Sequence, residues 1–464
     1  MNTILGLPDF AAFKAAGATR TSHRRRILHT FPNGGSPLTG ILSMIKAEPV
    51  DSVEHTWYEK RYIPARAAYR GTNAITSTAP TNGDDDDGTN MSNSAKGITV
   101  DHYIKVANVG RLSPGDIIQL TSANVNFRIT AVVRGVADVN LKGYIKCRPI
   151  RAYTSDGSED ASGEIIVIGS AHGEGSAGGV KPSGVRLPRP VTNQTNISRT
   201  AFRFSGTVLQ QGLEFDKTGP YKEEARDKVI DHMVGIEMNV IFSKRSTTLA
   251  SSLVSGEDDE MVRTQSGILE FLELWDAGST GLPIDGVTYA PYNFHVAATT
   301  DAADNKRIIE NTAGTMSRKL WNTYAERVGR YHTNKTNEKL VLCGSGAIDV
   351  MADMFNRETA MRVDVGQTAY GLSFDTLHTP HGKFHFVSHP LFNENPLWRN
   401  WALILDIHSI KFRPLRNRDT KCLKNRQNND ADFRKDEYLT EFMIEVHNVE
   451  NNMLIKNISS YSAS

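Results

Sequence analysis

The sequence predicts an α+β fold in which strands dominate the first half and helices and strands mix in the second. Three observations carry this. Short alternating apolar runs, separated by Gly, Asn and Asp, fill residues 53–212. A single long stretch, 221–246, repeats its apolar residues with helical spacing. Beyond it, helical and strand patterns follow one another up to a closing strand at 437–449.

Composition bounds the class. The chain has 464 residues, with 53 Lys+Arg against 52 Asp+Glu and a formal charge of +1. Hydrophobic residues make up 39% and charged residues 23%, enough apolar material for cores in about three domains. A disordered chain, a highly charged nucleic-acid coater and a membrane protein all fit these figures poorly. No apolar run approaches the ~18 residues of a spanning helix; the densest are 164–168 and 401–405. Residues 1–16 mix Pro8, Asp9 and Lys14 into their apolar positions, so no signal-peptide core is expected. Cys147, Cys343 and Cys422 are odd in number and far apart, which speaks for a reducing compartment and against a disulfide framework. Near-zero charge also removes the self-repulsion that keeps solitary soluble proteins apart.

Residues 1–50 read as an arm. An amphipathic stretch at 7–16 leads into Arg20, His23, Arg24, Arg25 and Arg26, and residues 1–30 carry five Lys/Arg against one Asp, a local +4. The segment 32–37, bounded by Pro32 and Pro37, breaks any helix, and 38–45 is the next apolar piece. Extended segments at 56–58 and 62–66 then run into a low-complexity loop at 81–90. Alternating runs at 98–106, 117–120, 127–133, 144–147 and 165–168 predict a small barrel or sandwich of roughly 75 residues. An irregular Gly/Pro-rich segment, 169–190, and a strand at 200–208 follow.

For the long helix, Thr218 and Pro220 supply a start, and Glu223 and Glu224 fall in the first turn, where the dipole favours anions. Val229, Met233, Ile236 and Val240 form one stripe, and Lys244 and Arg245 are expected in the last turn. At 26 residues it would be ~39 Å long, enough to cross a domain. Further helices are expected at 267–275, 304–331 and 346–355, and strands at 340–343, 370–377, 382–388 and 401–413. There is no internal repeat.

Chemical motifs are sparse. Four histidines, His378, His381, His385 and His389, lie within twelve residues and are the best metal candidates by count. Their spacing is wrong for HExxH, Pro380 and Gly382 interrupt them, and no Cys, Asp or Glu stands nearby to complete a tetrahedral set. A β-hairpin with its polar side chains facing out is the preferred reading, although His385 and His389 could share one strand face. Gly173, Gly175 and Gly178 match GxGxxG, but residues 179–190 cannot open a helix and no acidic residue follows until Glu214. In Asp84–Asp87, an EF-hand register with Gly88 at position six puts Gly83 first and Ser94 twelfth, neither a carboxylate, so a solvated loop is expected. GxSxG, HExxH, CxxC and the phosphate-cradling P-loop are all missing. No catalytic residue and no cofactor is expected.

Two basic stretches stand out. One is Arg20, Arg24, Arg25 and Arg26; the other runs from Lys411 to Arg426, with Arg413, Arg416 and Arg418, opposed locally only by Asp419. Neither has the interleaved aromatics of base-stacking proteins, so they could meet phosphates without sequence preference or acidic patches on a neighbouring subunit.

The order of pieces nevertheless has a likeness. Residues 37–43 followed by Thr56-Trp57-Tyr58, then 113–118, 165–176 and Phe204-Ser205-Gly206-Thr207-Val208 precede the helix. Tyr370-Gly371 through His381-Gly382-Lys383-Phe384, Lys411–Arg416 and Leu454-Ile455-Lys456-Asn457 follow it. Across most of 37–458 the chain resembles the major capsid proteins of tailed bacteriophages with the Hong Kong 97-type fold, in the subfamily carrying a β-rich insert in the extended loop. The acidic loop at 81–90 and the basic run at 20–26 have no counterpart in that pattern.

The resemblance implies an N-terminal arm at 1–50 and an extended loop at 51–199 with a β-barrel or sandwich insert at about 98–190. It further implies a peripheral domain of 200–250 plus 401–464, built on the long spine helix, and an axial domain at 251–400. The implied function is a structural protein, not an enzyme, that self-assembles into pentamers and hexamers of an icosahedral head around double-stranded DNA. Portal, scaffold or decoration proteins and non-specifically held DNA are the implied partners, with no membrane. The implied location is the virion, assembled in the bacterial host cytoplasm. Competing readings are an accessory head or tail protein and a metal-dependent hydrolase built on the histidines.

Overall fold

The computed structural model describes residues 47–59, 66–68, 75–76, 101–106, 109, 112–120, 125–134, 143–152, 164–175, 189–210, 219–249, 260–277, 282–284, 287–289, 306–330, 337–357, 362–369 and 372–462. The basic cluster of the arm and the acidic loop therefore lie outside the described residues. The chain enters along 47–53 and forms β1 (Glu54–Glu59), then β2 (Arg66–Ala68), β3 (Ile75–Thr76), β4 (His102–Val106), β5 (Asp116–Leu120), β6 (Val125–Arg134), β7 (Gly143–Pro149) and β8 (Glu164–Ser170). It returns as β9 (Arg189–Gln194). β1 and β9 pair antiparallel, from Glu54 opposite Gln194 to Glu59 opposite Arg189, so a two-stranded ribbon is the root of the whole excursion.

Within that excursion β2 to β8 form one antiparallel sheet in the order β2-β8-β5-β6-β7-β4-β3. Alternate residues, among them Ile104, Ile118, Leu120, Phe127, Ile129, Ile145 and Ile165, have no exposed surface and pack on one another. Each such side chain contributes about 1.5–3 kcal/mol by leaving water. The prediction was a barrel or sandwich; the described strands make a single sheet whose path ends at β2 and β3. Register shifts between Ile129 and Ala131, and between Ile117 and Ile118, mark bulges, which add local twist to the strands that carry them.

β10 (Asn196–Ser205) follows β9 almost directly and is succeeded by a short helix, α1 (Gly206–Gln210), where a strand was expected to continue. The long helix, α2 (Pro220–Phe242), has 23 residues, shorter than its sequence suggests. Ser243 already has extended backbone, and its carbonyl accepts from Gly267 N at 2.7 Å. Lys244 and Arg245 are thus not in a last turn. They lie on the extended segment beyond, at 2.8 Å from Glu273 and Glu54, held by carboxylates and not by the helix dipole. Along α2, Ile236 and Val240 are buried as the stripe predicts, while Met233 is half-buried.

Then come β11 (Ser246–Leu249), β12 (Met261–Thr264), α3 (Ile268–Ala277), β13 (Leu282–Ile284), β14 (Val287–Tyr289), β15 (Ile308–Glu310), β16 (Thr315–Met316) and α4 (Arg318–Gly329). The helix expected over 304–331 survives only as α4. Asp276 accepts from the backbone N–H of Arg307 and Ile308 at 2.6 and 2.8 Å, which starts a strand, and Gly314 turns at φ +68°. Next are β17 (Glu338–Cys343), α5 (Ser345–Arg357), β18 (Arg362–Ala369), β19 (Leu372–Thr379) and β20 (Gly382–Ser388). The chain ends with β21 (Ala402–Leu405), β22 (Ile410–Pro414), β23 (Lys421–Leu423), β24 (Phe433–Val446), β25 (Met453–Lys456) and β26 (Ser460–Tyr461). The strand expected over 401–413 is split by Asp406, which accepts from His408 N at 3.2 Å in a turn between β21 and β22.

A seven-stranded mixed sheet, β15-β25-β21-β17-β20-β19-β18, is the central layer. Its strands alternate sides: Leu340, Leu342, Leu403, Leu405 and Leu454 join one core with α2 and α3, while Val341, Cys343, Ile404, Met453 and Ile455 join another with α4 and α5. This sheet runs across the expected boundary at residue 400. β21 and β25 belong to the sheet built by 338–388, because antiparallel pairing joins Leu342 to Leu403 and, through β21, Leu403 to Leu454. Only β22, β23 and β24 join β10 in the second sheet, of order β10-β24-β22 with β23 also on β24.

Candidate interaction site

β24 shows how the basic C-terminal stretch is used. Its even-numbered residues Phe442, Ile444 and Val446 join the core with α2, and Thr440 Oγ1 lies 2.8 Å from His232 Nε2 on the helix. Its odd-numbered face presents Glu437, Glu441 and Glu445, all buried. Arg413 Nε pairs with Glu445, and its Nη1 reaches Glu48. Arg418 Nε lies 2.5 Å from Glu441, which also accepts from Thr195 Oγ1 at 2.9 Å. Arg199 and Arg426 each stand 3.5 Å from Glu437. Arg416 pairs with Asp51 at 2.9 Å.

Of the predicted patch, then, Arg413 is 12% exposed and bound inside the fold, whereas Arg416 and Arg418 stay 63% and 43% exposed beside own-chain carboxylates. The partners lie far away in sequence, which is why the stretch looked unopposed. Burial raises the Glu445 carboxyl, but hydrogen bonds from His447 and Arg413 outweigh it and hold it at about 2. The entering segment is seated on the same edge: Val50 N donates to Pro414 O, and Arg416 N to Val50 O, each at 2.9 Å.

The first turn of α2 is tied to β24 as well. Tyr221 donates to Asp436, and the Arg434 guanidinium lies 4.4 Å over the Tyr221 ring and 2.9 Å from Asp436. Burial and the Asp436 contact push the Tyr221 hydroxyl up to about 12.

The histidines are not one cluster. His389 follows β20, is fully buried, stacks on Phe392 at 4.6 Å, and meets Glu237 of α2 at 2.9 Å. The outward-facing reading is corrected for this residue: the apolar wall around it makes the helix carboxylate its polar partner. His385 is half-buried with Nδ1 2.9 Å from Thr376 Oγ1 on the paired strand, and burial lowers its pKa. His378 lies opposite Lys383 in the β19–β20 hairpin, and His381 sits in its turn. Among the described residues, no three His, Cys, Asp or Glu are grouped to hold a metal ion. Cys147 and Cys343 are buried, their thiols pushed up by desolvation, and Cys422 is exposed.

Sequence reading missed the Glu237–His389 pair and a buried ion pair, Lys339–Asp406 at 2.9 Å. It also missed the glutamates of β24, whose four-residue spacing along one strand was the available signal. These groups form internal clamps between segments distant in sequence.

Comparison with known proteins gives the family. The model of the SU10 major capsid protein family matches residues 16–459, and the chain belongs to that family. It is a bacteriophage major capsid protein, a structural component of the virion and not an enzyme. A curated major capsid protein of Pseudomonas phage PaMx41 is 21% identical over 399 residues, 85% of this chain and 78% of the relative. Among solved structures, a chain of Mycobacterium phage Bobi is 8% identical over 98% of this chain and 99% of its own, at a TM-score of 0.40. The cyanophage A-1(L) capsid asymmetric unit is 9% identical over 62% and 85%, at a TM-score of 0.38. No helix among the described residues is long and apolar enough to cross a membrane.

Proposed function

We propose that copies of this chain assemble into the pentamers and hexamers of an icosahedral head that encloses double-stranded DNA, in a Hong Kong 97-type arrangement. The observation that carries the reading is the family match over residues 16–459. In this reading 1–50 is the arm and 51–199 the extended loop rooted in the β1–β9 ribbon. β4 to β8 lie within its insert, about 98–190, the outward contact for decoration proteins, and β2 and β3 join their sheet from the loop before it. α2 is the spine helix of a peripheral domain of 200–250 plus 401–464, and 251–400 is the axial domain, with β21 and β25 carrying the central sheet from one into the other.

Arg20, Arg24, Arg25 and Arg26 of the arm would meet DNA or an acidic neighbour. Portal and scaffold proteins are the further partners of such a shell. Expression of the chain alone, followed by electron microscopy and sedimentation, tests the reading. Capsomers or closed shells are expected; a stable monomer at high concentration would overturn it.

A further inference from the structure

We infer that the face of the second sheet turned away from α2 is a docking surface for the acidic run Asp84–Asp87 of a second copy, an inference that rests on the shell reading above. Antiparallel register sets Arg199 of β10 and Lys421 of β23 on either side of Leu439, and Arg203 of β10 directly opposite Lys435. Residues opposite one another on antiparallel strands share a face, so these four cations stand on the face that carries Glu437. Arg426 reaches the same Glu437 from the loop after β23.

Five cations thus surround one carboxylate. Glu437 stands 3.5 Å from both Arg199 and Arg426, whose side chains remain 57% and 53% exposed. The next carboxylate along β24 has no charge to spare, since Glu441 is shared by Arg418 at 2.5 Å and Arg263 at 3.8 Å. Arg203 lies over the Phe433 ring at 5.7 Å, and Lys421 donates to Asn417 O at 2.8 Å; neither contact brings a countercharge. Like charges directly opposite on paired strands repel, as Arg203 and Lys435 do, and a facing anion relieves both.

The chain itself holds the complement. Residues 71–95 contain Asp84, Asp85, Asp86 and Asp87 and no Lys, Arg or His. Four extended residues span ~13 Å, the same as the separation of Arg199 and Arg203 along β10. The 25 residues 77–101 join β3 to its antiparallel partner β4, so their tip can project up to ~40 Å, enough to reach a neighbouring copy. A second acidic run, Glu257–Glu260, stands among only 11 residues between β11 and β12, with a reach of ~18 Å. Carboxylates already seat on the adjoining cations, Glu48 on Arg413 and Asp51 on Arg416. Opposite charges on separate surfaces of one near-neutral chain make copies complementary head to tail.

The test is charge exchange in the full chain. One variant carries Asp84→Lys, Asp85→Lys, Asp86→Lys and Asp87→Lys; the other carries Arg199→Glu, Arg203→Glu and Lys421→Glu. Sedimentation and electron microscopy follow assembly. Each variant alone should assemble about 10-fold more weakly than wild type, and an equimolar mixture should recover shells containing both, because each reversed loop then meets a reversed face. Variants that assemble alone as well as wild type overturn the inference. Two variants that melt like wild type but fail both alone and together place the contact within one chain, which also overturns it. Arg203→Gln with Lys421→Gln removes charge and relieves the opposed pair, and should still weaken assembly about 3-fold. Unchanged assembly of that variant overturns the inference even where the reversed face does not fold. A loop variant that assembles normally beside a defective face variant gives the face to Glu257–Glu260 or to DNA, and the inference falls. A salt slope of DNA binding lower by about 1 in the face variant identifies DNA. If wild type stays monomeric, it is the shell reading that fails, and this inference with it.

Discussion

His389 Nε2 lies 2.9 Å from Glu237 Oε1, and neither side chain has any exposed surface. The contact joins the segment leaving β20 to the C-terminal part of α2, so one polar bond links the central sheet's end to the helix within the apolar core. His389→Ala should leave the Glu237 carboxyl buried without this partner and remove the ring stacked on Phe392, costing about 3 kcal/mol. Glu237→Gln keeps an acceptor at the same place and should cost less than about 1.5 kcal/mol. Urea unfolding of the dissociated chain measures both. A His389→Ala protein within about 0.5 kcal/mol of wild type would show that the pair carries no weight.

Acid should weaken the fold in part through Glu445. Its pKa falls from the ordinary 4.5 to about 2 in the fold, because the contacts of His447 and Arg413 outweigh the cost of burial. A carboxyl depressed by folding stabilises above its unfolded value and loses that contribution as pH drops towards its folded value. The window is therefore pH 4.5 to 2, and the contribution is about 2 kcal/mol after allowance for screening at the partly exposed His447. Glu445→Gln should lower stability at pH 7 and flatten its decline below pH 4.5. Parallel pH curves for the two proteins would exclude Glu445 as the source.

Two glycines near α2 should respond in opposite directions. A Cβ at Gly267 would stand 2.8 Å from Ser243 N and 2.9 Å from Ile241 O and Ser243 O, the last of which accepts from Gly267 N and so ties the segment entering α3 to the end of α2. Gly267→Ala should therefore destabilise by about 2 kcal/mol. At Gly235, inside α2, nothing lies within 4 Å of the built Cβ, so Gly235→Ala should stabilise by about 0.5–1 kcal/mol. Thermal melting of the two variants gives the comparison, and shifts of the same sign would contradict the close approach of α3 to α2.

The elements legible in the sequence are those set by local pattern. β20 occupies 382–388 because Gly382 leaves the hairpin turn and Phe384 and Phe386 then alternate with Lys383 and His385, and α5 and α3 follow their amphipathic spacing. Where reading failed, a distant partner decided. Asp276 turns Arg307 and Ile308 into a strand; Glu273 and Glu54 draw Lys244 and Arg245 off the helix; β17 claims β21 for the central sheet. The candidate site was less legible still. Glu437, Glu441 and Glu445 meet arginines from several separate segments, and His389 finds a partner 152 positions upstream, pairings that no local window contains.

The Lys339–Asp406 pair offers the sharpest test of a buried charge. Lys339 is 1% exposed on β17, between the central sheet's two cores, and its ammonium lies 2.9 Å from Asp406, which also caps the turn to β22. Burial lowers the Lys339 pKa, and the attraction of Asp406 only partly opposes it. Below its ordinary 10.5 and above its folded value, the unfolded chain binds the proton that the folded chain gives up, so stability rises with pH across that window. Lys339→Met should cost about 3–5 kcal/mol at neutral pH by leaving Asp406 unpaired, and should abolish this alkaline rise. Lys339→Met with Asp406→Asn removes both charges, keeps an acceptor for His408 N, and should recover more than half of the loss. Unfolding curves from pH 7 to 10 decide it: a single Met variant that keeps the alkaline rise, or a double variant no better than the single, would mean that the charge pair is not what holds this turn.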